Sequence, residues 1–180
     1  MKTMYPEHWP QFYTATINNW ENLLADDLHK EIIIDSLRFL VAEKRIELNA
    51  FVIMSNHIHL IWQAMFGFSP SGIQASFMKY TAHQFKRSLT GNNKNALAKH
   101  KVNKYDREYP TGCCAQFWKR DPLSFELISP AVFEQKLDYT HYNPVVAGLC
   151  INPEDYYYSS ARFYHDGTDH FGILTHYLGS

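Results

Sequence analysis

The amino-acid sequence predicts an α+β sandwich: an antiparallel sheet with helices packed on one face and the functional site on the other. Three observations carry this. Strand-like and helix-like segments follow one another in the order β-α-β-β-α-β-α, the ferredoxin-like arrangement. Two of the strand-like runs meet at the tight turn Ser55-Asn56, which pairs them as an antiparallel hairpin. The second of these runs alternates between apolar residues and histidine, so its two faces differ in chemistry.

Residues 11–17, Gln-Phe-Tyr-Thr-Ala-Thr-Ile, alternate and are rich in β-formers, which makes them the first strand. Asn18-Asn19 punctuate the chain. A helix follows over about residues 22–44, with Leu24, Leu28, Ile32 and Leu37 at helical spacing. Residues 48–54 read as the second strand and His57–Gln63 as the third. Ser71-Gly72 open another helix that runs to about Leu89 on Ile73, Phe77, Tyr80 and Phe85. Residues 90–112 are polar and basic and contain Gly91, Asn92 and Asn93, so they read as a flexible insertion. A short strand is expected over 124–128. Ser129-Pro130 then start a helix, with proline in the first turn. It should end near Asn143, because Pro144 disfavours helical geometry in its predecessor. The tail after Pro153 is aromatic and irregular. No repeat or linker divides the chain, so residues 1–180 are expected to form one domain.

With 46% hydrophobic and 16% aromatic residues against 19% charged, the chain can bury a core and is not composed like a disordered segment. No apolar run approaches the ~20 residues needed to cross a bilayer. The N-terminal residues Met1 to His8 lack the apolar stretch of a secretory signal. Three cysteines, two of them adjacent at Cys113-Cys114, make a poor disulfide framework, and no Cys-x-x-Cys pair offers a zinc knuckle. A cytoplasmic location with no membrane partner is the expectation.

The net charge of −1 hides an uneven distribution. From Lys79 to Arg120 there are ten Lys and Arg against two acids, Asp106 and Glu108. The remaining chain holds seven basic and sixteen acidic residues. Phe85, Tyr105, Tyr109, Phe117 and Trp118 are interleaved with the basic segment. Such a stretch suits a groove that tracks a nucleic-acid strand, with phosphates on the cations and bases on the rings. A solvated helix face followed by a loop has the same composition. The candidate DNA contacts are Lys79, Lys86, Arg87, Trp118, Lys119 and Arg120.

In the third strand His57, His59, Ile61 and Gln63 point one way, and Ile58, Leu60 and Trp62 the other. The second set is a core face. The two imidazoles would then lie together on the open face, about 7 Å apart at Cα. Two neutral imidazoles at that spacing can chelate one divalent ion. A His-x-His pair also fits a general base, or no chemistry at all.

Tyr139 and Asn143 share a helix face one turn apart. A phenol is a weak nucleophile at its ordinary pKa of about 10. It needs a target already polarised, as a metal on a phosphate provides. The Asn143 carbonyl can serve as a third oxygen ligand to that metal. Tyr142 is a rival nucleophile, and core packing alone also explains a tyrosine-rich helix.

The run Phe51-Val52-Ile53-Met54-Ser55-Asn56-His57-Ile58-His59-Leu60-Ile61-Trp62 resembles the REP-associated tyrosine transposases. So does Leu137-Asp138-Tyr139-Thr140-His141-Tyr142-Asn143-Pro144-Val145-Val146-Ala147-Gly148-Leu149. These belong to the HUH single-tyrosine nucleases, in which U is a bulky apolar residue, here Ile58. Phe117-Trp118, the helix near Met78-Lys79 and Tyr158-Ser159-Ser160-Ala161-Arg162 extend the likeness over most of the chain.

The resemblance implies that His57 and His59 bind the metal, that Tyr139 is the nucleophile and that Asn143 is a polar third ligand. It implies transesterification of single-stranded DNA near a hairpin, through a 5′-phosphotyrosine link and a free 3′-hydroxyl. Magnesium or manganese is the implied cofactor, and a monomer or homodimer the implied state. The low overall charge and residues 90–112 depart from that pattern. A catalytically inactive hairpin-binding protein on the same fold is the alternative. A zinc hydrolase using the histidine pair is a third reading, which lacks a local third ligand and an adjacent acidic base.

Overall fold

The computed structural model describes residues 7–92 and 116–179. Its sheet has four strands, β1 (Gln11–Thr16), β2 (Ile46–Ile53), β3 (His57–Ala64) and β4 (Leu123–Glu126), in the order β2-β3-β1-β4 with antiparallel neighbours. β1 and β2 both flank β3 and so run parallel to each other. Helix α1 (Asp27–Ala42) makes the crossover between them, and α2 (Pro70–Asn92) leads from β3 towards β4. This is the expected ferredoxin-like order.

Alternation along the strands sorts the two faces. Tyr13, Ala15, Ile17, Ile58, Leu60 and Trp62 are buried in one cluster with Ile33, Ile34 and Leu37 of α1 and Phe77 and Phe85 of α2. That α1 begins at Asp27 rather than near residue 22 has a local cause. Two short 3-10 turns, Asn18–Trp20 and Leu23–Ala25, come first. The Asp26 carboxylate then caps the helix by accepting the Leu28 N–H at 2.9 Å.

The other face is not left open. Phe12, Ala50 and Ile61 are apolar there and need cover, which helix α3 (Pro130–Val146) supplies with Phe133 and Leu137. Two helices thus pack on one face as expected, and the tyrosine-bearing helix lies across the opposite one.

α3 also departs from its expected end. Pro144 does not stop it at Asn143 but sits inside it, buried. The true stop is a Schellman motif: the Gly148 N–H bonds Val145 O at 2.9 Å and the Leu149 N–H bonds Pro144 O at 2.9 Å. Gly148 takes φ 71°, the left-handed conformation this motif requires.

Two other sequence expectations change. α2 continues to Asn92, past the expected Leu89, and the insertion from residue 93 on lies outside the described residues, as do Tyr105, Tyr109, Cys113 and Cys114. The tail, expected to be irregular, contains α4 (Ala161–Asp166). It also lines the outer edge of β2: the Ser160 N–H bonds Phe51 O, the Ile53 N–H bonds Tyr158 O and the Thr175 N–H bonds Leu48 O, each at 2.9 Å. These bonds occupy backbone groups that an exposed edge strand would leave open. No helix among the described residues is long and apolar enough to cross a membrane.

Candidate metal and nucleophile site

β3 projects His57 and His59 towards α3, with ring centroids 4.9 Å apart. Directly opposite His59 in the sheet is Thr14 of β1, on the same face. Its hydroxyl lies 2.7 Å from His59 Nδ1. His57 Nδ1 lies 2.7 Å from Asn56 Oδ1. Because a carbonyl oxygen only accepts, the His57 Nδ1–H is the donor, and its Nε2 carries the lone pair. The Asn143 amide nitrogen lies 3.2 Å from His59 Nε2 and donates to it, which places the His59 proton on Nδ1 as well.

Both Nε2 atoms therefore carry no proton and face the same side chain. Asn143 Oδ1 lies 3.3 Å from His57 Nε2, so two acceptors confront each other with no hydrogen between them while His57 is neutral. A cation would satisfy that pair. The donor set, two imidazole nitrogens and one amide oxygen, fits a divalent ion with positions left for other ligands. Among the described residues no three His, Cys, Asp or Glu cluster for a metal.

Electrostatics keep the imidazoles neutral and available. His59 is 4% exposed. Its burial, with the charges of His57 and Lys136 adding, pushes its pKa down to about 3. Burial also lowers His57, against a smaller opposing effect of the Asn143 contact.

Tyr139 brings the phenol to the pair. Its ring meets His59 at 5.1 Å between centroids and Phe12 at 6.0 Å, while the residue stays 49% exposed. The buried stripe of α3 (Phe133, Leu137, Thr140, His141, Pro144) fixes this orientation and leaves Tyr139 and Asn143 on the flank facing β3. Tyr142, the rival, is exposed and has no ring contact with either histidine among the described residues.

The candidate DNA contacts separate into three groups. Lys119 and Arg120 stand at the end of the sheet where β3 begins, because the Lys119 N–H bonds Thr16 O at 2.7 Å and Thr16 pairs with His57. Lys79, Lys86 and Arg87 are on α2, in the layer across the sheet from the histidines. Trp118 is a correction. It is 5% exposed, packs on Phe77 and Phe85, and donates its indole N–H to Thr81 Oγ1 at 2.9 Å. Phe85 and Phe117 are buried with it. These rings belong to the core because they complete the apolar side of α2, so no base can stack on them. An exposed ring at that end is Trp20, with Lys119 Nζ 5.6 Å from its centroid.

Thr14, Asn56 and Lys136 did not stand out in the sequence. Strand alternation offers a signal for Thr14, since it shares a face with Phe12. Asn56 reads only as a turn residue, and Lys136 as one more helix lysine.

A ferredoxin-like sheet carrying a His-x-His pair beneath a tyrosine-bearing helix defines the architecture of the HUH single-tyrosine class. The chain belongs to the family of IS200-like transposases, whose model matches residues 13–116, more than half of its length. The tyrosine helix lies beyond that span. Among solved structures, the chain is similar to a REP-associated tyrosine transposase bound to a REP hairpin, at 17% identity and a TM-score of 0.62. That alignment covers 100% of this chain and 96% of the other. A candidate transposase from Deinococcus radiodurans R1 aligns at 12% identity and a TM-score of 0.51, covering 83% of this chain and 96% of that one. At these identities the likeness is one of fold. No curated protein of similar sequence was found.

Proposed function

We propose that this transposase-family chain nicks and rejoins single-stranded DNA at hairpin-bearing sites, with Tyr139 as nucleophile and His57, His59 and Asn143 holding a magnesium or manganese ion. The observation that carries the reading is the convergence of two unprotonated Nε2 atoms, the Asn143 amide and the Tyr139 ring on one face of the sheet. The similarity to a hairpin-bound transposase supports the choice of substrate.

In the reaction, Tyr139 Oη forms a bond to phosphorus and the bond to the 3′-oxygen breaks. The phenol proton passes to solvent, and the leaving 3′-oxygen takes one up. The 5′-phosphate stays on the tyrosine, so the bond energy is kept and a 3′-hydroxyl can reverse the step. A divalent ion, when bound, would neutralise phosphate charge in the attacked group. The protein's own part is positional: α3 holds the phenol beside the pair, and Thr14 and Asn56 fix the imidazoles.

The test is covalent capture. A labelled single strand containing a hairpin should become attached to the protein with manganese present, and Tyr139→Phe should abolish attachment. Full adduct yield from Tyr139→Phe would reject the assignment and point to Tyr142. Hairpin binding with no adduct in any metal would mark an inactive binding protein.

A further inference from the structure

Lys136 holds a charge with no anionic partner among the described residues. It stands three residues before Tyr139 on α3, on neighbouring parts of one helix face. Its Nζ lies 5.1 Å from the Phe12 ring centroid, 5.5 Å from that of Phe125 and 5.3 Å from that of Tyr139. The side chain is partly buried. Among the described residues no carboxylate pairs with it and no side chain or carbonyl accepts from it. Lys30 shows the contrast: its Nζ also lies over a ring, that of Tyr158, and it still pairs with Asp27 at 2.7 Å.

An ammonium drawn out of water is costly unless an anion meets it, and the faces of three rings compensate only in part. The ammonium flanks the Tyr139 ring over Phe12 of β1 and Phe125 of β4, beside the ground that a phosphate attacked by Tyr139 would occupy.

We propose that Lys136 is the seat of a non-bridging oxygen of the phosphodiester that Tyr139 attacks. It is thus a catalytic residue that supplies a positive charge from the protein itself. The inference rests on reading Tyr139 as the nucleophile. The bond from Tyr139 Oη to phosphorus forms and the bond to the 3′-oxygen breaks, while the ammonium meets the negative charge growing on the phosphoryl oxygens. A charge fixed in advance and partly desolvated acts there without reorganisation.

The experiment compares wild type, Lys136→Met, Lys136→Arg and Tyr139→Phe in full-length protein. Single-turnover adduct formation on a labelled hairpin-bearing single strand is followed with manganese. Lys136→Met keeps the apolar stem against Phe12 and should slow attachment by about 100-fold. Lys136→Arg should recover to within about tenfold, since it restores the charge but not the point geometry. In the Tyr139→Phe background, Lys136→Met should also lower the slope of log affinity against log salt by about 0.7, the value of one lost phosphate contact on a single strand.

Equal slowing by Met and Arg would reduce Lys136 to a packing role and overturn the proposal. So would a Lys136→Met rate within twofold of wild type, or an unchanged salt slope. In those cases wild type still forms its adduct and Tyr139→Phe does not, so the tyrosine reading survives. Absence of an adduct in wild type overturns both.

Discussion

Tyr139 meets His59 edge to face, with ring planes at 70° and centroids 5.1 Å apart. The contact is between rings rather than between hydroxyl and nitrogen. Both His59 nitrogens are already engaged, by Thr14 and by Asn143. The imidazole is thus a packing surface for the phenol ring and not placed as the base that removes its proton. Tyr139→Phe keeps every ring contact and should leave thermal stability within about 0.5 kcal/mol of wild type while removing all chemistry. Calorimetry beside the adduct assay checks this; a large loss of stability would show that the hydroxyl has a structural partner.

If the histidine pair holds the proposed metal, Thr14 should matter to its affinity without touching it. It orients His59 through Nδ1, so Thr14→Val should weaken manganese binding by roughly 10- to 100-fold. Titration calorimetry reads it directly. Unchanged affinity would mean that burial alone holds the ring.

Trp118 should behave as a core residue. Trp118→Ala is expected to cost about 3–5 kcal/mol of stability, and DNA affinity per folded molecule should be unchanged. Denaturant melts and binding at low temperature separate the two. A loss of affinity at constant stability would return Trp118 to the DNA interface.

Gly148 tests the end of the tyrosine helix. A Cβ there meets no atom within 4 Å, so Gly148→Ala acts through the backbone alone. The left-handed conformation should cost about 1–2 kcal/mol. A neutral substitution would mean that the helix end can change its capping geometry freely.

Alkaline pH should unfasten the tail. The hydroxyls of Tyr156 and Tyr164 donate to Ile53 O and Asn49 O of β2, each at 2.9 Å. Burial is the main cause that pushes both phenols up to about 12 from 10.0. A folded pKa above the unfolded one means stability fully present below pH 10 and lost as pH rises towards 12. The melting temperature should fall across that window, less steeply in the Tyr156→Phe, Tyr164→Phe double variant. Parallel profiles would assign the fall to other groups.

Much of this was legible in the sequence, and the reasons are local. Period-2 alternation in His57–Gln63 placed the histidines on one face and Ile58, Leu60 and Trp62 in the core, as found. Helical spacing put Tyr139 and Asn143 together. What failed to show depended on neighbours distant in sequence. The pair lies under α3 because Phe12, Ala50 and Ile61, from three strands, make that face apolar. Trp118 stands beside a basic run, yet its indole finds Thr81 across the fold. The bulge that sets Asn49 apart between Leu48 and Ala50 leaves no trace in composition, because its side chain and carbonyl are held by Thr175 and Tyr164 of the tail. Pro144 carried a true local preference that a buried site and a Schellman motif outweighed.

Ser160 ties these parts together. Its hydroxyl accepts the Phe51 N–H at 2.9 Å and lies 2.9 Å from His141 Nε2, two residues along from Tyr139. One buried oxygen thus clamps the helix that carries Tyr139 to the edge strand β2. Damage to the tail at that point, by cleavage or by an inserted fusion, should therefore be felt first as a misaimed tyrosine and only afterwards as an unfolded protein.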